Sequence, residues 1–198
     1  MTVKPGADWG EVVSMPGDLI GVSTDAALRE ALSQGAAVRV GGGDLFRTVG
    51  ASPSAGGTAL ELPIDLLRIV ADGVATDAVA HVVARVPGRL GGWRGPILCV
   101  MNVEYLGGHD VAPRAHPNDG RFDVVEVSPS MSLRARGQAY RRLATGTHVP
   151  HPDIAARRGR EETFTFDRPL QLWIDGVSTG TVRSLTVSVA PDAAVVYV

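Results

Sequence analysis

The chain has 198 residues, enough for one ordinary domain or one domain with part of another. Apolar residues make up 44% and charged residues 20%, which excludes a disordered chain, and a formal net charge of −2 excludes a field that would draw it to nucleic acid. The lone cysteine, Cys99, can form no internal disulfide, and no window approaches the roughly 18 to 20 apolar residues of a membrane span.

The lead-in, 1–18, is rich in Gly, Pro and Asp, with EVV as a short strand, and it lacks the apolar stretch of a signal peptide. The expected location is therefore the cytoplasm, with attachment to a membrane surface left open. DLIGV, 18–22, reads as a strand. Ser23 or Thr24 then offers an oxygen to cap a helix, with Asp25 in its first turn. Ala27, Leu28, Ala31 and Leu32 share one face of that helix, and Gly35 ends it. AVRV, 37–40, is a short strand, and the glycine loop GGGD follows at once. Together these form a unit about the size of one βαβ motif.

From residue 60 the pattern changes. LPIDLLRIV, AVAHVVARV, PILCVMNV, FDVVEV, LQLWID, SLTVSV and AAVVYV read as strands, separated by turn pairs such as Asp72-Gly73, Asp119-Gly120, Asp175-Gly176 and Pro191-Asp192. Many short strands so punctuated predict a two-sheet body. One helix interrupts it, with Ser130 as cap, Leu133, Tyr140 and Leu143 facing inwards, and Arg134, Arg141 and Arg142 in water. Strands 97–103 and 122–127 are expected to be central, with Val100, Val124, Leu172 and Val187 buried.

Three segments carry a resemblance. NVEYLGG (102–108) followed by APRAHPNDGRFDVVEV (112–127) resembles a strand ending in Asn, a glycine pair, Ala-Pro, and an acidic-Gly turn into an Asp-Val strand. LQLWIDGVSTG and the two strands after it are similar to a block with an Asp-Gly-Glu turn and a closing hairpin. GGGDLFRTVG, 41–50, is similar to Gly-Thr-Gly-Asn-Asp-Phe-Ala-Arg. All three patterns belong to the bacterial diacylglycerol kinase-like, YegS-type lipid kinase family.

The resemblance implies a fold and a set of roles. The fold would be α+β: a lipid-kinase-type β-sandwich over 61–198, with a truncated α/β remnant of the nucleotide-binding lobe over 1–60. Asp175 would be the catalytic base that accepts the lipid hydroxyl proton. Asp25, Gly41, Gly42, Gly43, Asp44 and Arg47 would face nucleotide, and Asp119 with Asp123 would help hold magnesium. Read from the residues alone, the Asp119-Gly120 and Asp175-Gly176 turns are equally plain hairpin turns.

The chain also departs from the family pattern. Ser23, Thr24, Ala26 and Ala27 stand where glycines and a threonine are expected around Asp25, Asn118 replaces an acid, and Val177 replaces the Glu after the Asp-Gly turn. Side chains at the phosphate loop would keep backbone from a triphosphate. The expectation is a catalytically impaired homologue that binds a lipid, a small anion or a protein. The alternative is an active ATP-dependent lipid kinase using magnesium. ATP is implied only by that alternative. A homodimer and a lipid surface remain open as partners, and nucleic acid is not expected.

His109, His116, His148 and His151 read as loop residues rather than metal ligands. Arg134, Arg136, Arg141 and Arg142, with Arg157, Arg158 and Arg160, form the most basic region and read as a solvated face or as an attraction for anionic headgroups.

Overall fold

Apolar alternation broken by Asp-Gly pairs makes most of this chain β-structure, and the computed structural model describes it over residues 9–50 and 57–198. Part of the expected lead-in lies outside the described residues. The first segment holds β1 (Glu11–Ser14), β2 (Ile20–Val22), α1 (Asp25–Ser33), β3 (Val38–Val40) and α2 (Gly43–Thr48). β4 (Thr58–Ala71), β5 (Val74–Ala78), β6 (His81–Arg85) and β7 (Ile97–Met101) follow. The short pair β8 (Tyr105–Leu106) and β9 (His109–Asp110) precedes β10 (Phe122–Val127) and α3 (Leu133–Arg142). The chain closes with β11 (Ile154–Gly159), β12 (Glu161–Ile174) and β13 (Val177–Tyr197).

Hydrogen bonding runs through the strand order β1-β4-β13-β12-β6-β7-β10-β11, with β5 on β4 and the parallel pair β2-β3 joined to the end of β13. β12 and β13 are long enough to serve both layers of the sandwich, and their register shifts between Thr165 and Leu170. SLTVSV and AAVVYV are therefore one strand, not two. The Pro191-Asp192 signal marks a bulge between Ala190 and Ala194, where the pairing with β4 shifts and Asp192 takes φ of 51°. The buried Asp65 braces this bulge by accepting from Asp192 N at 2.9 Å and from Gly120 N at 2.7 Å.

β4 and β13 divide the interior. Leu67 and Ile69 of β4 and Leu185 and Val187 of β13 pack with Val100, Phe122, Val124 and Leu172 in the sandwich core. Leu62 and Ile64 at the other end of β4, with Val196 and Val198, pack against Leu28 of α1, Val38, Val40 and Leu45. A third cluster covers the outer face of β7 and β10, where Cys99, Met101 and Val125 meet Met131, Ile154 and the underside of α3. The four residues expected in the core are all buried, between 0% and 3% exposed.

Two expectations for the helices need correction. GGGD is not wholly a loop, because α2 begins at Gly43. α3 is capped by Ser132, whose hydroxyl accepts from Ala135 N, not by Ser130. Leu133 and Tyr140 face water at 54% and 52% exposed, while Arg136 is buried. An arginine can occupy an inward position when carbonyls receive its donors. Among the described residues no helix is long and apolar enough to cross a membrane.

Candidate functional site

Asp25 opens α1, where Thr24 caps the helix by accepting from Ala27 N at 3.2 Å. Its carboxylate then reaches across the chain to α2. Asp25 accepts from Asp44 N at 2.7 Å and from Leu45 N at 3.1 Å. First-turn amides have no partner within their own helix, so Asp25 meets a need that α2 cannot meet itself. Gly43 makes this approach possible. Its φ is +96°, and a Cβ built there would lie 2.5 Å from an Asp25 oxygen. Gly42 is packed as closely, since a Cβ would lie 2.7 Å from the Ser23 carbonyl oxygen, and Gly41 donates its N–H to Val22 O.

Asp44 faces the opposite way. One oxygen lies 3.1 Å from His81 Nε2 and accepts from Gly107 N at 2.6 Å. The other accepts from Gly108 N at 3.1 Å. The β8–β9 turn thus aims two amides at this carboxylate. Arg47 lies outside this buried cluster, with its guanidinium 5.6 Å from the centre of the Tyr105 ring.

Asp175 sits in the β12–β13 turn with φ of 49°, a conformation that Asp tolerates better than most residues. Its side chain is 0% exposed. The carboxylate accepts from Val79 N, Ala80 N and His81 N at 3.1, 2.9 and 3.2 Å. Arg29 Nη1 lies 3.7 Å away and donates to Ile174 O. His81, between Asp44 and the Asp175-bound backbone, is 2% exposed, and its Nδ1 has no partner.

Burial pushes the Asp25 and Asp175 carboxyls up, against the amides that favour their charged forms. For Asp44 burial also pushes up, but the His81 ring and the two glycine amides outweigh it and hold this carboxyl low. Burial pushes His81 down, yet Asp44, Asp175 and Asp25 together raise it. The arrangement is a buried acid–imidazole pair of Asp44 and His81, flanked by Asp25 and Asp175, in which burial and amide donors oppose each other.

Asp25, Asp44 and His81 each present one ligand atom within 4.8 Å of the others and could hold a metal ion. A set of one nitrogen and two oxygens suits zinc or manganese better than magnesium, which favours oxygen. A metal there would compete with the proton on His81. Asp119 and Asp123 form a different cluster. Arg158 Nε donates to Asp123 at 3.1 Å, and its Nη2 pairs with Asp119 and donates to Arg114 O at 3.0 Å. A guanidinium therefore supplies the positive charge between these two acids.

The sequence reading selected Asp25, Asp44 and Asp175 from three separate motifs, and the fold brings them together around one residue that it overlooked. His81 was hidden inside the apolar run AVAHVVARV. The available signal was a single imidazole at an inward position of a strand, which demands a partner.

Among protein families, the chain matches the model described as YegS C-terminal NAD kinase beta sandwich-like domain over residues 63–198. No curated protein matches it. Among solved structures it is similar to a "putative diacylglycerol kinase" of Bacillus anthracis str. Sterne, at 13% identity and a TM-score of 0.67, covering 90% of this chain and 77% of that one. A second structure, of a diacylglycerol kinase from the same organism, aligns at 16% identity and a TM-score of 0.61, covering 90% and 75%. At these identities the likeness to the two structures is one of fold.

Proposed function

The chain belongs to the family of YegS C-terminal NAD kinase beta sandwich-like domains, and on that premise we propose that it is a lipid-kinase homologue that binds its ligand without phosphorylating it. One observation carries this reading. The amides of Asp44 and Leu45, which a phosphate would seek on the glycine loop, already donate to the carboxylate of Asp25. A triphosphate brought to them would meet a buried acid at hydrogen-bond distance, and like charges in a poorly solvated site repel strongly.

The acid that would serve as base supports the same reading. A general base must come within about 2.6–3.2 Å of the proton it takes, directly or through a water. Asp175 has no exposed side-chain surface and engages three backbone amides. A lipid hydroxyl could reach it only if the groups that cover it, among them Arg29 and the backbone of Val79, Ala80 and His81, moved aside. The substitutions around Asp25 add to this, since Ser23, Thr24, Ala26 and Ala27 put side chains beside the loop.

The second reading is an active ATP-dependent lipid kinase, favoured by the convergence of Asp25, Asp44 and Asp175 on His81. Thermal unfolding with ATP, with and without magnesium, separates the two. A kinase given ATP at a hundredfold excess over its dissociation constant gains about 2.7 kcal/mol and a clear rise in midpoint. The expected result is no rise, and no transfer of labelled phosphate to a diacylglycerol or an extracted lipid. Labelled phosphate on any lipid alcohol refutes the binding-only reading.

A further inference from the structure

Beneath α3 lies a cavity of about 180 Å³, away from the carboxylate cluster. Its walls are the outer face of β7 and β10, with Cys99, Val111, Val125, Met131, Leu143 and Ile154 among the lining residues. Tyr140 also lines it and stands half-exposed beside Trp93, with ring centres 6.0 Å apart. A wholly apolar cavity of about 150 Å³ stays dry and accepts benzene, so the volume here suits roughly six to eight carbons.

Two polar side chains break the apolar lining. Arg136, 5% exposed, donates Nε to Met131 O at 3.2 Å and Nη2 to Gly95 O and Ser128 O at 2.5 and 2.8 Å. Its Nη1 has no partner. Three carbonyls orient this guanidinium but do not neutralise it, and no carboxylate of the described residues forms an ion pair with it; Asp153 acts on it only through its field. His148 is 2% exposed and its ring nitrogens make no hydrogen bond of good geometry, with the Val111 backbone close enough to act on the ring. A buried cation without a counter-ion and a buried imidazole whose donor is poorly satisfied are both expensive to keep. An apolar chain ending in a carboxylate would satisfy the walls and both polar groups together.

We propose that this cavity binds a medium-chain fatty acid, its chain against Cys99, Val125 and Ile154 and its carboxylate on Arg136 Nη1 and His148. The assignment rests on the chain acting as a binding protein, and it names the class of ligand.

Titration calorimetry of the full chain with octanoate, octan-1-ol and octylamine, all below their aggregation limits, tests it. Octanoate should bind at least about tenfold more tightly than the alcohol, the factor expected from one charge-assisted hydrogen bond. Octylamine should bind least. Arg136→Leu should erase the preference for the acid over the alcohol. Because that change also strips three carbonyls of their donor, Ala139→Phe serves as the second variant. It fills the cavity from α3 with Arg136 in place, and it should weaken octanoate by about tenfold or more while leaving the circular dichroism unchanged. Equal affinity for acid and alcohol, no heat with octanoate, or full octanoate binding by Ala139→Phe overturns the assignment and leaves the nucleotide result untouched. Phosphate transfer by the unaltered protein overturns the binding-only reading and leaves the octanoate comparison to stand.

Discussion

Replacing Asp25 by Ala separates a structural carboxylate from a nucleotide-binding one. In the folded protein Asp25 is 6% exposed and receives two backbone amides, from Asp44 at 2.7 Å and from Leu45 at 3.1 Å. Removing the acceptor leaves two buried N–H groups unpaired, at about 1–3 kcal/mol each. Against this stands the relief of a carboxyl that burial pushes up, so the net loss is about 2–4 kcal/mol, more than the about 1 kcal/mol of an ordinary helix cap. Urea unfolding followed by far-ultraviolet circular dichroism reads this as a midpoint lower by about 1–2 M, for a slope of about 2 kcal/mol/M. The freed amides should also respond to anions. Sulfate or ATP should stabilise Asp25→Ala more than the unaltered protein, and the chloride salt at equal ionic strength should not. A loss of stability below about 0.5 kcal/mol, the range of an ordinary surface change, would falsify the view that Asp25 holds α2. Equal stabilisation of both proteins by ATP would show that phosphate reaches those amides with Asp25 in place.

Four further outcomes follow from the structure. His81 is raised in the fold, so its contribution is complete below its unfolded value of about 6.5 and is lost as the pH climbs through the folded value. His116 and His148 are lowered by burial and work in the opposite sense, so the readout is the difference between the unaltered protein and His81→Gln. That difference in urea midpoint should shrink steadily from pH 6.5 upwards. At the acid end, Asp44 is held low, and its contribution, present above about pH 3.9, should vanish as the pH falls through the folded value; Asp44→Asn should flatten the acid limb measured in the same way. Asp175→Asn should lower stability by about 2–4 kcal/mol, since an amide oxygen cannot replace a carboxylate for three N–H donors, and calorimetry should show octanoate binding unchanged. Magnesium in the millimolar range should not shift the melting midpoint of the unaltered protein, because Arg158 already pairs with Asp119 and Asp123.

Much of the fold was legible because strands and turns announce themselves locally. Asp72-Gly73 and Asp175-Gly176 take positive φ throughout, as hairpin turns of that composition should. Val100, Val124, Leu172 and Val187 lie inside as their alternation required. The misreadings share a physical cause. Whether Pro191-Asp192 ends a strand or only bulges it depends on Asp65, which accepts from Asp192 N across a sequence separation of 127 residues. Whether a glycine run is a loop or the start of α2 depends on a carboxylate from α1. Which face of α3 turns inwards depends on carbonyls of Gly95 and Ser128 that accept from Arg136. In each case a distant polar group decides what the local pattern leaves open.

That dependence also bears on the acids themselves. An ionised carboxylate offers about four lone-pair positions. Asp175 gives three to the β5–β6 connection, Asp25 gives two to α2, and Asp44 gives three to His81 and the β8–β9 turn. Acids so engaged tie separate elements together: Asp175 locks the β12–β13 turn to β6, Asp25 joins α1 to the start of α2, and Asp44 joins α2 to β6 and the β8–β9 turn. These bonds are the part of each acid's capacity that the fold itself uses. Substitutions at these three positions should therefore appear first as lost stability, and a carboxylate that matches a kinase motif in sequence is no evidence of chemistry until its lone pairs are found free.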